Sequence, residues 1–357
     1  MNQKKKAKVA GIDLFCGAGG LSYGLMRAGV RVVAGVDLDP ACRFPFERNV
    51  GAPFLEADIG EISGGDLARL YPKGAVRLLA GCAPCQPFSP FRRGEDVSGD
   101  AKWGLLKDFA RLVRELKPEL VTMENVPGLA SQSVFRGFVK SLERGGYNVD
   151  WASVYCPRYG IPQHRRRLVL LASSVGEVKV PPGRLENDQF RTVREAISKL
   201  PPLSVGEADP RDRLHRARSL TQTNVQRLRA SRPGGSWEDW PLELRAPCHV
   251  RASGQSYRSV YARMSWDEPA PTITTQAYNF GTGRFGHPEQ DRSITLREAA
   301  LLQTFPRKYR FVRPREEIFF LIVGRLIGNA VPPRLAYHIG KELMRAARPD
   351  DSARSHR

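Results

Sequence analysis

The chain is short of the features that mark several large protein classes. No apolar run comes near the roughly 20 residues of a membrane-spanning helix, and the basic start Met1-Asn2-Gln3-Lys4-Lys5-Lys6 leads into a strand-like stretch, not a signal-peptide core. A cytoplasmic location and no membrane partner are expected. Only six cysteines occur in 357 residues: Cys16, Cys42, Cys82, Cys85, Cys156 and Cys248. They are scattered, several inside apolar segments, which argues against the disulfide framework of a small secreted scaffold. Histidine is equally scarce. His164, His215, His249 and His287 stand isolated, so nothing completes zinc-ligand spacing beside Cys82 and Cys85, and no metal is expected. Internal repeats are missing, and so are low-complexity tracts apart from a short polar end after Arg348. Acids are outnumbered by bases, 37 to 56, and the net charge of +19 points to a polyanionic partner. Nucleic acid fits better than a membrane surface, because no basic amphipathic helix stands out.

What the chain does have is alternation. Residues 8–15, 30–36, 54–59, 75–79 and 120–123 read as strands, and 147–154 and 168–172 add two more. Helical spacing appears at 21–28, after Pro40, at 105–116, at 134–142, at 295–302 and around 335–346. This order predicts a doubly wound, mostly parallel α/β sheet, whose site lies outside the carboxyl ends of the strands. The unusual clusters Cys16–Gly20, Asp37, Asp58, Cys82–Ser89 and Glu124–Asn125 all fall at such ends. After Ser173 the texture changes to a loop-rich, proline-punctuated stretch. From Gly206 to Arg263 it holds eleven arginines, no lysine and six acids, with Trp237, Trp240, Tyr257 and Tyr261 among them.

Gly17-Ala18-Gly19-Gly20, between a strand and a helix, is where backbone passes close to a ligand. Asp37 ends the next strand, where a carboxylate accepts from ribose hydroxyls, and Asp58 is in reach of an adenine amino group. A nucleoside-bearing cofactor follows. A dinucleotide fits less well, since Ser22 stands where the phosphate fingerprint wants a third glycine. The alternative is a tight structural turn, to which the two placed acids are the objection. Cys82-Ala83-Pro84-Cys85 also fits C-x-x-C, the spacing of a redox pair or a metal site. Pro84 and Pro87 make the immediate helix of a redox pair awkward. A single nucleophile, Cys85, is the better reading, with Arg165 and Arg167 available to stabilise negative charge.

The order of these blocks resembles the cytosine-5 DNA methyltransferases over nearly the whole length. Residues 13–22 (DLFCGAGGLS) are similar to that family's S-adenosylmethionine loop, 84–89 (PCQPFS) to its nucleophile loop, and 124–126 (ENV) to its Glu-Asn-Val signature. Residues 163–167 (QHRRR) match its Gln-x-Arg-x-Arg, 297–306 its ninth block, and 328–332 (GNAVP) its closing block. The resemblance implies a Rossmann-like catalytic domain with a smaller, loop-rich DNA-recognition domain. The expected division is 1–174 for S-adenosylmethionine binding and catalysis, 175–306 for target recognition, and 307–357 for the return to the first. It implies S-adenosyl-L-methionine held by Asp13, Phe15, Gly17, Gly19, Gly20, Leu21, Asp37, Leu38, Asp58, Ile59, Pro84, Asn329, Ala330 and Val331. It implies Cys85, Glu124, Arg165 and Arg167 as catalytic, and Gln86, Ser89, Asn125 and Gln163 at the substrate. Where many members carry Glu on the ribose and an aromatic over the adenine, this chain has Asp37 and Leu38; where a bulky residue stands two before the nucleophile, it has Ala83.

The implied reaction transfers a methyl group to carbon 5 of a cytosine flipped out of double-stranded DNA, through a covalent Cys85 adduct. A restriction–modification methylase is expected, monomeric, with a cognate endonuclease acting separately. The alternatives are a tRNA cytosine-5 methyltransferase and a catalytically silent DNA-binding module. Most of the eleven arginines are expected to touch phosphate or water. Trp237 and Trp240 read at least as well as core as they do as gap-fillers in DNA.

Overall fold

The computed structural model describes residues 8–83, 104–251, 258 and 260–348, Cys248 by its backbone alone. Pro84, Cys85, Gln86 and Ser89 lie outside the described residues. Seven strands are present: β1 (Val9–Leu14), β2 (Arg31–Asp37), β3 (Phe54–Glu56), β4 (Val76–Gly81), β5 (Leu120–Asn125), β6 (Asn148–Tyr155) and β7 (Arg166–Ser173). They form one sheet in the order β3-β2-β1-β4-β5-β7-β6. β1 to β5 pair in parallel, while β7 runs against both its neighbours. Every residue of β1 and of β5 is buried. A strand covered on both faces reads as an unbroken run, which is why these segments stood out in the sequence. The strand order reverses between β1 and β4, and that switch point is where an open α/β sheet presents a crevice.

Helices α1 (Gly20–Ala28), α2 (Arg43–Val50), α3 (Gly64–Ala68), α4 (Gly104–Leu116) and α5 (Ser133–Arg144) connect the strands. Leu106, Phe109, Leu112, Val113 and Leu116 put the apolar stripe of α4 into the core, where Phe109 meets Phe138 of α5 edge-on at 5.7 Å. The helix stops where Lys117 turns left-handed, at φ 47°, ahead of Pro118.

Contacts divide the chain into two compact units. The first takes Met1–Tyr155, Arg166–Gly183 and Val331–Arg357; the second takes Cys156–Arg165 and Arg184–Ala330. The expected division cut at 174 and 306. These units instead break at Gly183 and Ala330, and they give the second unit the ten residues between the end of β6 and the start of β7.

The second unit carries short helices: α6 (Val193–Ile197), α7 (Gln222–Ala230), α8 (Pro247–Val250), α9 (Leu296–Leu302) and α10 (Phe320–Gly328). Isolated bridges such as Arg263 with Gly286 join its loops. Trp237 and Trp240 are core here, packed with Leu228 and Phe280. The sequence reading did not find α10, because a nine-residue run that is apolar almost throughout is not told from a buried strand by pattern alone.

Helix α11 (Pro333–Ala346) returns to the first unit and lies against α1. Two glycines let the helices approach. A Cβ on Gly24 would sit 2.3 Å from Ala336 Cβ and from the Pro333 carbonyl oxygen, and one on Gly340 would sit 2.7 Å from Ala28 Cβ. Since the Gly24 obstruction includes backbone, Gly24→Ala should cost about 2 kcal/mol, read as a lower urea midpoint at an unchanged slope. An unchanged midpoint would mean that α11 can move away freely.

Candidate active site

The carboxyl ends of β1, β2, β4 and β5 bring the predicted groups of the first unit to one edge. After β1 the chain turns sharply: Phe15 holds φ 58°, Gly17 φ 52° and Gly19 φ 87°. A left-handed non-glycine is a strained conformation of the kind that clusters at ligand sites. Around the position of a Gly17 Cβ nothing lies within 4 Å, so the loop faces open space. No side chain caps the start of α1, a terminus that favours an anionic group. Leu38, just past β2, is 66% exposed, an apolar surface suited to a flat ring. These features fit a nucleoside-bearing cofactor carrying a carboxylate.

Asp37 is more committed than the sequence implied. Its Oδ2 accepts from Gly17 N at 2.9 Å and its Oδ1 from Asp39 N at 3.0 Å, so it fastens β2 to the glycine loop. Burial raises its pKa, against the pull of those two N–H groups. Asp58 follows β3 and its Oδ1 accepts from Gly60 N at 2.8 Å; Ile59 beside it is buried, as are Gly20 and Leu21 at the start of α1.

Asp13 lies beneath the loop, 1% exposed. Its Oδ2 accepts from the Ser22 hydroxyl at 2.6 Å, which explains the serine in the third-glycine position. Oδ1 is buried with no hydrogen-bond partner. Burial raises this carboxyl from an ordinary 3.8 to about 7, with Ser22 opposing and Asp37 adding. An acid raised in the folded state weakens folding as pH climbs. The loss begins near 3.8, where the unfolded chain ionises, and is complete above about 7, a difference of roughly 4 kcal/mol. Asp13→Asn should gain stability relative to the parent as pH rises from 4 to 7, measured by urea unfolding; parallel curves would remove Asp13 as the cause.

Glu124, next to last in β5, is 2% exposed. Arg167 Nε from β7 lies 3.0 Å from its Oε1, an ion pair without hydrogen-bond alignment. The Cys82 thiol donates to Oε2 at 3.0 Å. Asn125, expected at the substrate, has its amide in the fold: Nδ2 donates to Ala83 O at 3.1 Å and Oδ1 accepts from Val126 N at 2.7 Å. It thus holds the chain two residues before Cys85.

The Gln-x-Arg-x-Arg block divides between the units. Arg167 belongs to the first, on Glu124. Arg165, expected to be catalytic, is 3% exposed in the second unit and donates to the carbonyls of Ile273 at 3.1 Å and Gly328 at 3.4 Å. Gln163, expected at the substrate, is fully buried in the same unit. Its Nε2 donates to Gln303 Oε1 at 2.9 Å, and its Oε1 accepts from Ile273 N at 2.8 Å. These contacts join three blocks far apart in sequence. Gln303, which donates on to Ile327 O at 2.8 Å, was legible as part of the ninth block but not as a structural residue. Asn329 caps the end of α10 and is exposed; Ala330 closes the second unit, and Val331 opens the return to the first.

Of the eleven arginines in 206–263, eight are engaged inside the second unit. Arg211, Arg229, Arg232, Arg258 and Arg263 pair with acids. Arg213, Arg227 and Arg245 donate to main-chain carbonyls. Eight of the eleven are exposed: Arg211, Arg213, Arg216, Arg218, Arg229, Arg232, Arg251 and Arg258. Guanidinium groups in this loop-rich module thus satisfy acids and carbonyls while most of them still face solvent.

The family model for C-5 cytosine-specific DNA methylase matches residues 9–345. The Type II methylase M.HgiDII of Herpetosiphon aurantiacus is 49% identical over 337 residues, 94% of each chain. The Type II methyltransferase M.XorII of Xanthomonas oryzae pv. oryzae is 31% identical, covering 95% of this chain and 85% of its own. Among solved structures, a prophage-encoded DNA modification methyltransferase of E. coli superposes with a TM-score of 0.69 at 23% identity, covering 95% of this chain and 99% of its own. The Dnmt2 methyltransferase of S. pombe gives 0.63 at 18%, covering 94% and 98%. These two likenesses concern the fold.

Proposed function

Because the chain belongs to the C-5 cytosine-specific DNA methylase family, we propose that it methylates cytosine in double-stranded DNA by way of a covalent Cys85 adduct, as the modification enzyme of a Type II restriction–modification system. The observation that carries this reading is Glu124. It is a buried carboxylate at the end of β5, paired to Arg167, on the same sheet edge as the glycine loop and Cys82. The family's description as a DNA methylase favours DNA over tRNA.

Cytosine carbon 5 is a weak nucleophile within an aromatic ring. In the proposed reaction the Cys85 thiolate adds to carbon 6, which breaks the aromaticity and leaves an enamine with carbon 5 activated. Glu124 must carry a proton for this step: it donates that proton to ring nitrogen 3, where the negative charge develops, and takes it back when the ring is restored. Arg167 supplies positive charge beside it. Loss of the carbon 5 proton and expulsion of Cys85 restore the ring. S-adenosylmethionine, implied by the family, supplies the methyl group; the loop 15–20, Asp37, Leu38 and Asp58 would hold it. The target atoms are out of reach within a duplex, so the base is flipped out at a cost of about a few kcal/mol.

Incubation with duplex DNA and methyl-labelled S-adenosylmethionine should give 5-methylcytosine on nucleoside digestion, with no label in tRNA run in parallel. Label on adenine or on the exocyclic nitrogen of cytosine would overturn the reading.

A further inference from the structure

We infer that Cys82 is a positioning residue for Glu124: its thiol fixes the direction of the carboxylate that Arg167 holds by charge alone. This rests on the reading of Glu124 given above. Arg167 Nε is 3.0 Å from Oε1 but is not aligned as a hydrogen bond. An ion pair of that kind attracts the carboxylate without setting its plane, since Coulombic attraction depends on distance and hardly on angle. Among the described residues, the aligned hydrogen bond on this carboxylate comes from the Cys82 thiol, at 3.0 Å to Oε2.

The backbone keeps that thiol in place. Cys82 N donates to Leu14 O at 3.4 Å, tying the residue after β4 to the end of β1. One residue on, Ala83 O accepts from Asn125 Nδ2 at 3.1 Å, so the neighbour of Glu124 clamps the neighbour of Cys82. Gly81, one residue before, has no room for a side chain: a Cβ there would meet Phe109 at 2.8 Å and Leu14 O at 3.1 Å. The thiol is thus carried on a segment pinned from three sides, as a group that orients another must be. A cysteine serving only to fill space would have no reason to aim its hydrogen at a carboxylate.

If Cys82 acts through Glu124, its removal should slow the chemistry and leave binding intact. Cys82→Ala is expected to lower kcat about tenfold, with KM for DNA and for S-adenosylmethionine within about twofold of the parent. Cys82→Ser keeps a donor with a slightly shorter reach and should recover kcat to within about threefold. In the Glu124→Gln background, Cys82→Ala should cost less than about twofold, because the orienting effect has nothing left to act on. Equal losses in both backgrounds, a rise in KM without a fall in kcat, or failure of serine to recover activity would each overturn the inference. Melting curves of all variants separate a folding defect from a loss of orientation, and the serine variant serves if the alanine one does not fold. If the parent protein does not form 5-methylcytosine at all, the proposed function fails, and that outcome is distinct from any of these.

Discussion

Cys85→Ser is expected to abolish methyl transfer, lowering kcat by roughly four orders of magnitude or more, the scale of losing a nucleophile that acts as a unit with its partners. A cysteine is a few per cent thiolate at neutral pH and strongly nucleophilic, whereas a serine hydroxyl needs an adjacent base. Affinity for S-adenosylmethionine should hardly change, since the glycine loop and Asp37 follow other strands of the sheet. The decisive measurement uses duplex DNA containing 5-fluorocytosine. With fluorine in place of the carbon 5 proton, elimination fails and the adduct persists, so the parent protein should be trapped and the Cys85→Ser variant should not. Trapping that survives the substitution would take the nucleophile's role away from Cys85.

Arg292→Met should be the most damaging single change for stability. Arg292 and Glu298 are each 1% exposed and joined by two hydrogen bonds of 2.8 Å. Thr295 N adds a third to the carboxylate at 2.6 Å. Removing the arginine leaves a buried charge uncompensated, a loss of about 3–5 kcal/mol. Arg292→Met combined with Glu298→Leu should recover much of that, because apolar replacement of a whole buried pair is often neutral.

The same cluster sets an acid limit. Burial alone would raise Glu298, but Arg292, His287 and Thr295 N together outweigh it and hold the carboxyl at about 2, against an ordinary 4.5. Burial, opposed by Glu298 and aided by Arg292 and Arg263, holds His287 at about 4 against 6.5. Both are depressed in the folded state, so both stabilise above their ordinary values. His287's share fades as pH falls from about 6.5 to 4, and Glu298's from about 4.5 to 2. As pH falls from 7 to 3 the urea midpoint of the double variant should gain on that of the parent, because the loss from Glu298 is removed while the opposing contribution of Asp13 is common to both. Parallel curves would place the acid sensitivity elsewhere.

Much of the fold was legible for one reason. Strands buried on both faces leave continuous apolar runs, and helices that stop at Gly29, at Lys117-Pro118 or at Gly145-Gly146 leave their end signals in the chain. β1 and β5 were found this way, whereas β6, largely unburied, was read as a strand without such a run. The sequence reading did not find α3 and α6, whose five residues are too few to show a period, or α7, which buries only Leu228 and so carries no apolar stripe. The site was legible as a set of strand ends, because an α/β sheet presents its carboxyl ends together whatever its sequence.

The sequence by itself determined the family, the sheet and the chemistry on offer: a thiol, a buried acid, two arginines and a glycine loop, in one order along the chain. Tertiary structure alone decided how those groups are used. Arg165 and Arg167 are two residues apart and chemically identical, yet one meets main-chain carbonyls and the other meets Glu124. Asn125 and Gln163 carry the same amide, yet one meets the carbonyl of Ala83 and the other meets Gln303. Cys82, in sequence only the first cysteine of a C-x-x-C, has a carboxylate in front of it. Composition fixes which hydrogen bonds a residue is able to make, but its partner depends on strand register and on contacts between residues more than forty or even a hundred positions apart. No local pattern in the chain records those contacts.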